Sequence, residues 1–143
     1  MLIWASDAGN SVLSAYYAED SLTLEFTVPP ENTEMFKDLG AQAYKFEETP
    51  MTLNSHHYSV DPNLFTTDAS LAAFYKLTSI SYTPAEGNPF GASMEAYNYP
   101  FFGTQFHPEK TMTMFNDGTG INHSWESITL NRYFADKFMS YAR

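Results

Sequence analysis

The chain has 143 residues, with 7 Lys+Arg against 17 Asp+Glu and a net charge of −10; a balance this acidic argues against coating a nucleic-acid backbone or an anionic membrane. Hydrophobic residues make up 43%, which excludes a disordered tail, and the length suits one domain with a real core. Cysteine is absent, which removes disulfides, zinc–thiolate sites and any thiol nucleophile from these residues.

The opening segment, Met1-Leu-Ile-Trp-Ala-Ser-Asp-Ala, lacks a basic region, and its apolar run is too short for a signal peptide. It reads as the end of a buried helix stopped by Gly9-Asn10. A chain that opens inside an apolar element without a cap suggests a missing front; an ordinary short N-terminal helix is the alternative. Ser21 to Val28 alternates strictly, with Leu22, Leu24, Phe26 and Val28 on one side, as a half-buried strand does. Pro29-Pro30 ends it. Asn32 is placed to cap a short helix carrying Met35, Phe36 and Leu39 and stopped by Gly40. Ala43 to Val60 reads as extended, broken at Thr49-Pro50.

Thr67 or Asp68 caps a further helix with Leu71, Phe74, Tyr75 and Thr78 on one face. A strand follows around Ile80 and Tyr82, then turn-rich Pro84–Pro89, then a strand in which Ala92, Met94 and Ala96 alternate. Phe101 to Phe106 is another strand, and Asn116–Gly120 a loop. Ser124 caps the last helix, with an apolar stripe of Trp125, Ile128, Leu130, Phe134, Phe138 and Tyr141. Lys137 and Arg143 near its end suit the helix dipole. Short strands mixed with helices indicate an α/β or α+β protein.

The segment that carries chemistry is Gly103-Thr-Gln-Phe-His-Pro-Glu-Lys110. In an extended backbone His107 and Glu109, two apart, share one side. A carboxylate beside an imidazole fixes its tautomer and stabilises its charged form. That is the base and its orienting partner in a nucleophilic triad; a surface histidine in a local ion pair is the plainer reading. Among the other histidines, only the 56–57 pair is close in sequence, and neither pair has the helical i, i+4 ligand spacing, so no metal is expected. His57 reads as exposed and His123 as structural. Asn122-His-Ser124 is an N-glycosylation sequon, meaningful only on a secretory route.

Gly-x-Gln-Phe-His-Pro-Glu at a strand end resembles the histidine–glutamate motif of class I glutamine amidotransferases. Met94-Glu-Ala-Tyr-Asn-Tyr-Pro100, Ile121-Asn-His-Ser124, Asn54-Ser-His-His-Tyr58 and the terminal Ala142-Arg143 narrow the resemblance to gamma-glutamyl hydrolases. Phe106, where many of that family have Trp, is closer to the amidotransferase form. The resemblance implies a three-layer α/β sandwich with a mostly parallel central sheet. This chain would be the C-terminal portion of one such domain over residues 1–143, incomplete, with Ser21–Val28 in a flanking antiparallel piece. It implies a cysteine-type omega peptidase acting on folate poly-γ-glutamate, in which His107 is general base and acid, Glu109 orients it, and His56 is a candidate substrate contact. The family's cysteine lies upstream and has no counterpart here, so this chain alone is expected to be inactive. No cofactor, metal, nucleic acid or membrane is implied; a homodimer is, if the protein is complete, as is a vacuolar, lysosomal or extracellular setting. The substrate's negative charge sits awkwardly with a net charge of −10. A glutaminase domain of a class I amidotransferase and a non-catalytic degenerate fragment or binding module are the alternatives.

Overall fold

In the computed structural model, which describes residues 2–116 and 118–142, strands and short helices alternate around two adjoining cores. The chain enters through helix α1 (Leu2–Ala5) and a 3-10 turn at Gly9–Val12. None of the residues of α1 is buried and Trp4 is 93% exposed, which corrects the expectation of a buried helix. Its end is tied down by Asp68, whose carboxylate accepts from the Ser6 hydroxyl and from the Asp7 and Ala8 N–H groups.

Strand β1 (Leu13–Leu22) pairs antiparallel with β3 (Thr52–Val60). The register slips between Ala15 and Ala18, so Tyr16 and Tyr17 together oppose the single residue His57, a β-bulge. The predicted strand over 21–28 is divided: Ser21 and Leu22 end β1, and Glu25–Phe26 form β2. The division arises because the Leu24 N–H turns to the Phe46 carbonyl instead of a neighbouring strand. Its facing is as the alternation requires, with Leu24 buried and Glu25 and Thr27 exposed.

Beyond Pro29 the cap lies one residue later than Asn32: the Thr33 hydroxyl accepts from the Phe36 N–H at 3.0 Å. The segment is a turn followed by a 3-10 stretch, Lys37–Tyr44, kinked at Gly40, and then helix α2 (Lys45–Glu48). Residues 43–48 are therefore helical, not extended; Phe46 is thereby driven into the core beside Phe36.

Helix α3 (Leu64–Thr67) leads into α4 (Ala69–Phe74), which Asp68 caps by accepting from the Leu71 N–H at 2.9 Å. Tyr75 and Thr78 belong not to that helix but to strand β4 (Tyr75–Tyr82). Strand β5 (Pro89–Ala96) and β6 (Phe102–Thr104) complete a sheet of order β2-β4-β5-β6. Gly87, at φ 68°, supplies the left-handed residue of the β4–β5 turn. Every ladder among the described residues is antiparallel. Connections as short as 83–88 and 97–101 permit hairpins but not parallel crossovers. The mixed α/β class is as expected, while the parallel part of the expected sheet is not represented in these ladders.

The last helix, α6 (Trp125–Tyr141), is capped by Ser124, whose hydroxyl accepts from the Ser127 N–H at 3.2 Å. Its buried residues are Ser127, Leu130 and Asn131. Phe134 packs against Phe36, Phe46 and Phe106. Trp125 and Phe138, assigned to the apolar stripe, are 81% and 70% exposed. Lys137 turns to Asp38 and does not cap the helix end; Arg143 lies outside the described residues. No helix among the described residues is long and apolar enough to cross a membrane.

The two sheets meet where β3 crosses β5. Ser59 Oγ donates to the Gly91 carbonyl at 3.1 Å, and a Cβ on Gly91 would fall 3.4 Å from the Val60 carbonyl. That close approach sets β3 beside the chain leaving β6, which carries the candidate site.

Candidate active site

The chain leaves β6 and immediately buries Phe106, at 2% exposure, in the core. With Phe106 anchored inward, His107 is held at the surface. Its backbone N–H donates to the Leu53 carbonyl of β3 at 2.8 Å, fixing the turn to the neighbouring sheet. Pro108 ends the extended run, and helix α5 (Lys110–Thr113) begins at once.

His107 Nδ1 lies 2.8 Å from Glu109 Oε1. A carboxylate oxygen only accepts, so Nδ1 carries the hydrogen and Nε2 presents its lone pair. Among the described residues nothing is hydrogen-bonded to Nε2. The side chains are 36% and 59% exposed, so the pair stands at an open surface, with Nε2 free to take a proton. No Tyr, Ser or Thr hydroxyl among the described residues is hydrogen-bonded to the ring, and cysteine is absent from the chain. The geometry is that of an imidazole oriented by a carboxylate.

His56 projects from β3 toward the same region. Its Nδ1 faces the Tyr16 carbonyl at 2.9 Å, and its Nε2 faces Asn54 Oδ1 at 3.2 Å. The Asn54 amide nitrogen is committed to the Thr52 carbonyl at 2.9 Å. The ring edge packs on Phe90, 4.9 Å between centroids. Burial pushes the His56 pKa below its ordinary value, the Tyr16 carbonyl works the other way, and the nearby His107 and His57 add to the lowering. The structure thus brings His56 into the electrostatic neighbourhood of His107. His57 points to the other side, exposed and tilted against Tyr17. His123 is remote in role: its Nδ1 donates to the Thr111 carbonyl at 3.1 Å and its ring stacks on Phe115. Asn122 of the sequon donates to the Pro50 carbonyl and accepts from the Ser124 N–H. Among the described residues no group of three or more His, Asp or Glu converges to hold a metal ion.

Three contributors escaped the sequence reading. The Tyr16 carbonyl is available to His56 only because of the bulge, and bulges leave no reliable mark in a single sequence. The Leu53 carbonyl is a backbone group with no side-chain signature. Asn54 is two residues before His56, and the same i, i+2 logic that joined His107 to Glu109 would have found it.

A family model described as glutamine amidotransferase class-I matches residues 9–123. Among curated proteins, the chain is 32% identical over 124 residues to a gamma-glutamyl hydrolase of Bos taurus, covering 85% of this chain and 38% of the relative. It is 29% identical over 139 residues to a gamma-glutamyl hydrolase of Homo sapiens, covering 95% and 43% respectively. It is 25% identical over 134 residues to gamma-glutamyl hydrolase B of Dictyostelium discoideum, covering 92% and 38%. The chain spans about two-fifths of the length of these relatives.

Proposed function

The chain belongs to the class I glutamine amidotransferase family, and on that premise we propose that it is the C-terminal portion of a gamma-glutamyl hydrolase domain that cleaves γ-glutamyl amide bonds. The observation that carries the reading is the 2.8 Å contact between His107 Nδ1 and Glu109, with Nε2 left unengaged. A base oriented in this way acts on a nucleophile, and none lies within these residues, so a thiol from outside them would complete the site.

In that complete site His107 Nε2 takes the thiol proton as sulfur bonds to the γ-carbonyl carbon. The proton then passes to the amide nitrogen as the C–N bond breaks and the amine leaves. Water next attacks the thioester, giving its proton to Nε2; the C–S bond breaks, the thiol is restored and a γ-carboxylic acid is released. Glu109 stabilises the imidazolium at each transfer. General acid–base assistance of this kind contributes about 10²–10⁴-fold. His56 is the candidate contact for the γ-glutamyl group. By itself the chain is expected to be inactive. A γ-glutamyl compound is the substrate we infer, supported by the name shared by the relatives; folate poly-γ-glutamate is the member of that class that the family resemblance adds. A vacuolar, lysosomal or extracellular setting and a homodimer of the complete protein are inferred from family resemblance.

The test begins with the intact mass and N-terminal sequence of the protein from its own cells. Glutamate release from a γ-glutamyl peptide is then followed with the wild type and His107→Asn. An upstream cysteine together with activity lost in the variant is the expected result. Ammonia release from glutamine would favour a glutaminase domain. A native chain without cysteine and without either activity would leave a binding module.

A further inference from the structure

His56 stands in a chain of hydrogen bonds that closes only when its ring is charged. The chain runs from the Tyr16 carbonyl to His56 Nδ1 at 2.9 Å, from His56 Nε2 to Asn54 Oδ1 at 3.2 Å, and from Asn54 Nδ2 to the Thr52 carbonyl at 2.9 Å. Both ends are carbonyls, which only accept. The three links therefore need three hydrogens. The Asn54 amide places one along the chain and a neutral imidazole adds one, whereas an imidazolium adds two. Turning the amide over leaves the same deficit, because Nδ2 then serves His56 while Oδ1 faces the Thr52 carbonyl. Asn54 is fully buried, so bulk solvent does not reach its Oδ1 to make up the missing hydrogen.

We propose that Asn54 is a positioning residue that makes His56 the proton-binding group of this site: the neutral ring carries its hydrogen on Nδ1 and faces Asn54 Oδ1 across an open link, and a proton taken up at Nε2 closes the chain. The ligand contact at His56 rests on the γ-glutamyl reading, while the hydrogen count holds without a ligand.

The lengths of the links select the tautomer. Two facing lone pairs repel less at 3.2 Å than at 2.9 Å, so the single hydrogen of the neutral ring belongs between Nδ1 and the Tyr16 carbonyl. The titratable groups that act on the ring are His107, from the segment after β6, and His57, its neighbour on β3, and both oppose a charge on it. From β5 it meets the apolar ring of Phe90. From β1 it meets the Tyr16 carbonyl; the Tyr16 phenol, whose pKa burial raises, packs on the same Phe90. No carboxylate among the described residues is hydrogen-bonded to the His56 ring. With burial working against the charged form, the chain is open at neutral pH and closes in acid. Once it is closed, both ring nitrogens donate within the protein, and His56 offers a ligand its charge and not an N–H.

The experiment is a pH titration of the 143-residue chain, followed by the imidazole nitrogen shifts and by the side-chain amide of Asn54. Above the His56 midpoint Nδ1 should be the protonated atom. The Asn54 amide should move with that midpoint, and below it both ring N–H protons should exchange slowly with solvent. Asn54→Leu removes the acceptor of the new N–H and should lower the midpoint by about one pH unit. Asn54→Asp offers a carboxylate instead and should raise it above the ordinary 6.5. Retained amide dispersion shows that each variant folds, and the wild-type titration decides without them. A neutral ring protonated at Nε2, an Asn54 amide indifferent to the His56 midpoint, or a folded Asn54→Leu with the midpoint unmoved overturns the proposal. The last two results are those of an asparagine that only packs. Because no ligand enters the titration, a failure to cleave γ-glutamyl compounds leaves this result standing.

Discussion

Glu95 ties strand β5 to the segment over 33–36, and removing it should unfasten that segment. It lies on β5 at 3% exposure. Its Oε1 is 2.8 Å from Lys76 Nζ and accepts from the Glu34 N–H at 3.2 Å; its Oε2 accepts from the Met35 N–H at 3.0 Å. Glu95→Leu leaves a lysine and two backbone donors without their partner, and removal of one member of a buried pair costs about 3–5 kcal/mol. Glu95→Gln keeps the volume but points an amide N–H at a donor. It loses one or two charge-assisted bonds, worth about 1.5–3 kcal/mol each. For a domain of this size a kilocalorie shifts the melting temperature by roughly 3–5 °C, so Glu95→Leu should melt at least 10 °C below the wild type by circular dichroism. Lys76→Met should cost less, because that side chain is 25% exposed and the two N–H groups still hold the carboxylate. If Glu95→Gln melts with the wild type, the carboxylate does not hold this segment.

Glu109→Gln should release His107 from its fixed tautomer; imidazole nitrogen shifts report whether Nδ1 remains the protonated atom, and an unchanged ring would remove Glu109 from its orienting role. His56 has a folded pKa below the ordinary 6.5, so the unfolded chain takes up that proton first. Its contribution to stability is complete at neutral pH and declines as pH falls below about 6.5; an NMR titration midpoint above 6.5 would contradict this. The Ser6 hydroxyl above all, with the Leu71, Asp7 and Ala8 N–H groups, holds the Asp68 carboxyl far below the usual carboxylate range. Its stabilisation is present above about pH 4 and is lost as pH falls further, so acid unfolding should be shallower in Asp68→Asn than in the wild type. Phe46→Ala, at a fully buried position, should cost about 3–5 kcal/mol in urea unfolding.

Much of this was readable because it is local. Ser124 and Asp68 announce their helices by capping chemistry that acts within three residues, and His107 and Glu109 are only two residues apart, although they meet across the turn at Pro108–Glu109 and not along the extended backbone expected. The misreadings have tertiary causes. Asn32 looked like a cap, but Thr33 is the residue whose hydroxyl reaches Phe36, because Glu95 of β5 holds the Glu34 and Met35 N–H groups. Residues 43–48 looked extended, yet Phe46 reaches the core only through a helical turn. The stripe on α6 was periodic enough to include Trp125 and Phe138, but the core accepts the adjoining face of Ser127, Leu130 and Asn131. Periodicity shows that a helix has faces; which face is covered depends on where distant segments pack.

The extra residue in β1 has a meaning at the level of the gene. Pairing runs Ala15 to Tyr58 on one side of the bulge and Ala18 to His56 on the other. Loss of one codon, Tyr16 or Tyr17, would restore an unbroken ladder with every flanking pair intact. The sheet would gain regularity from such a deletion. The loser would be His56, since a carbonyl drawn into the ladder no longer turns toward its ring. A chain that makes no use of that histidine could lose the codon without harm to the sheet.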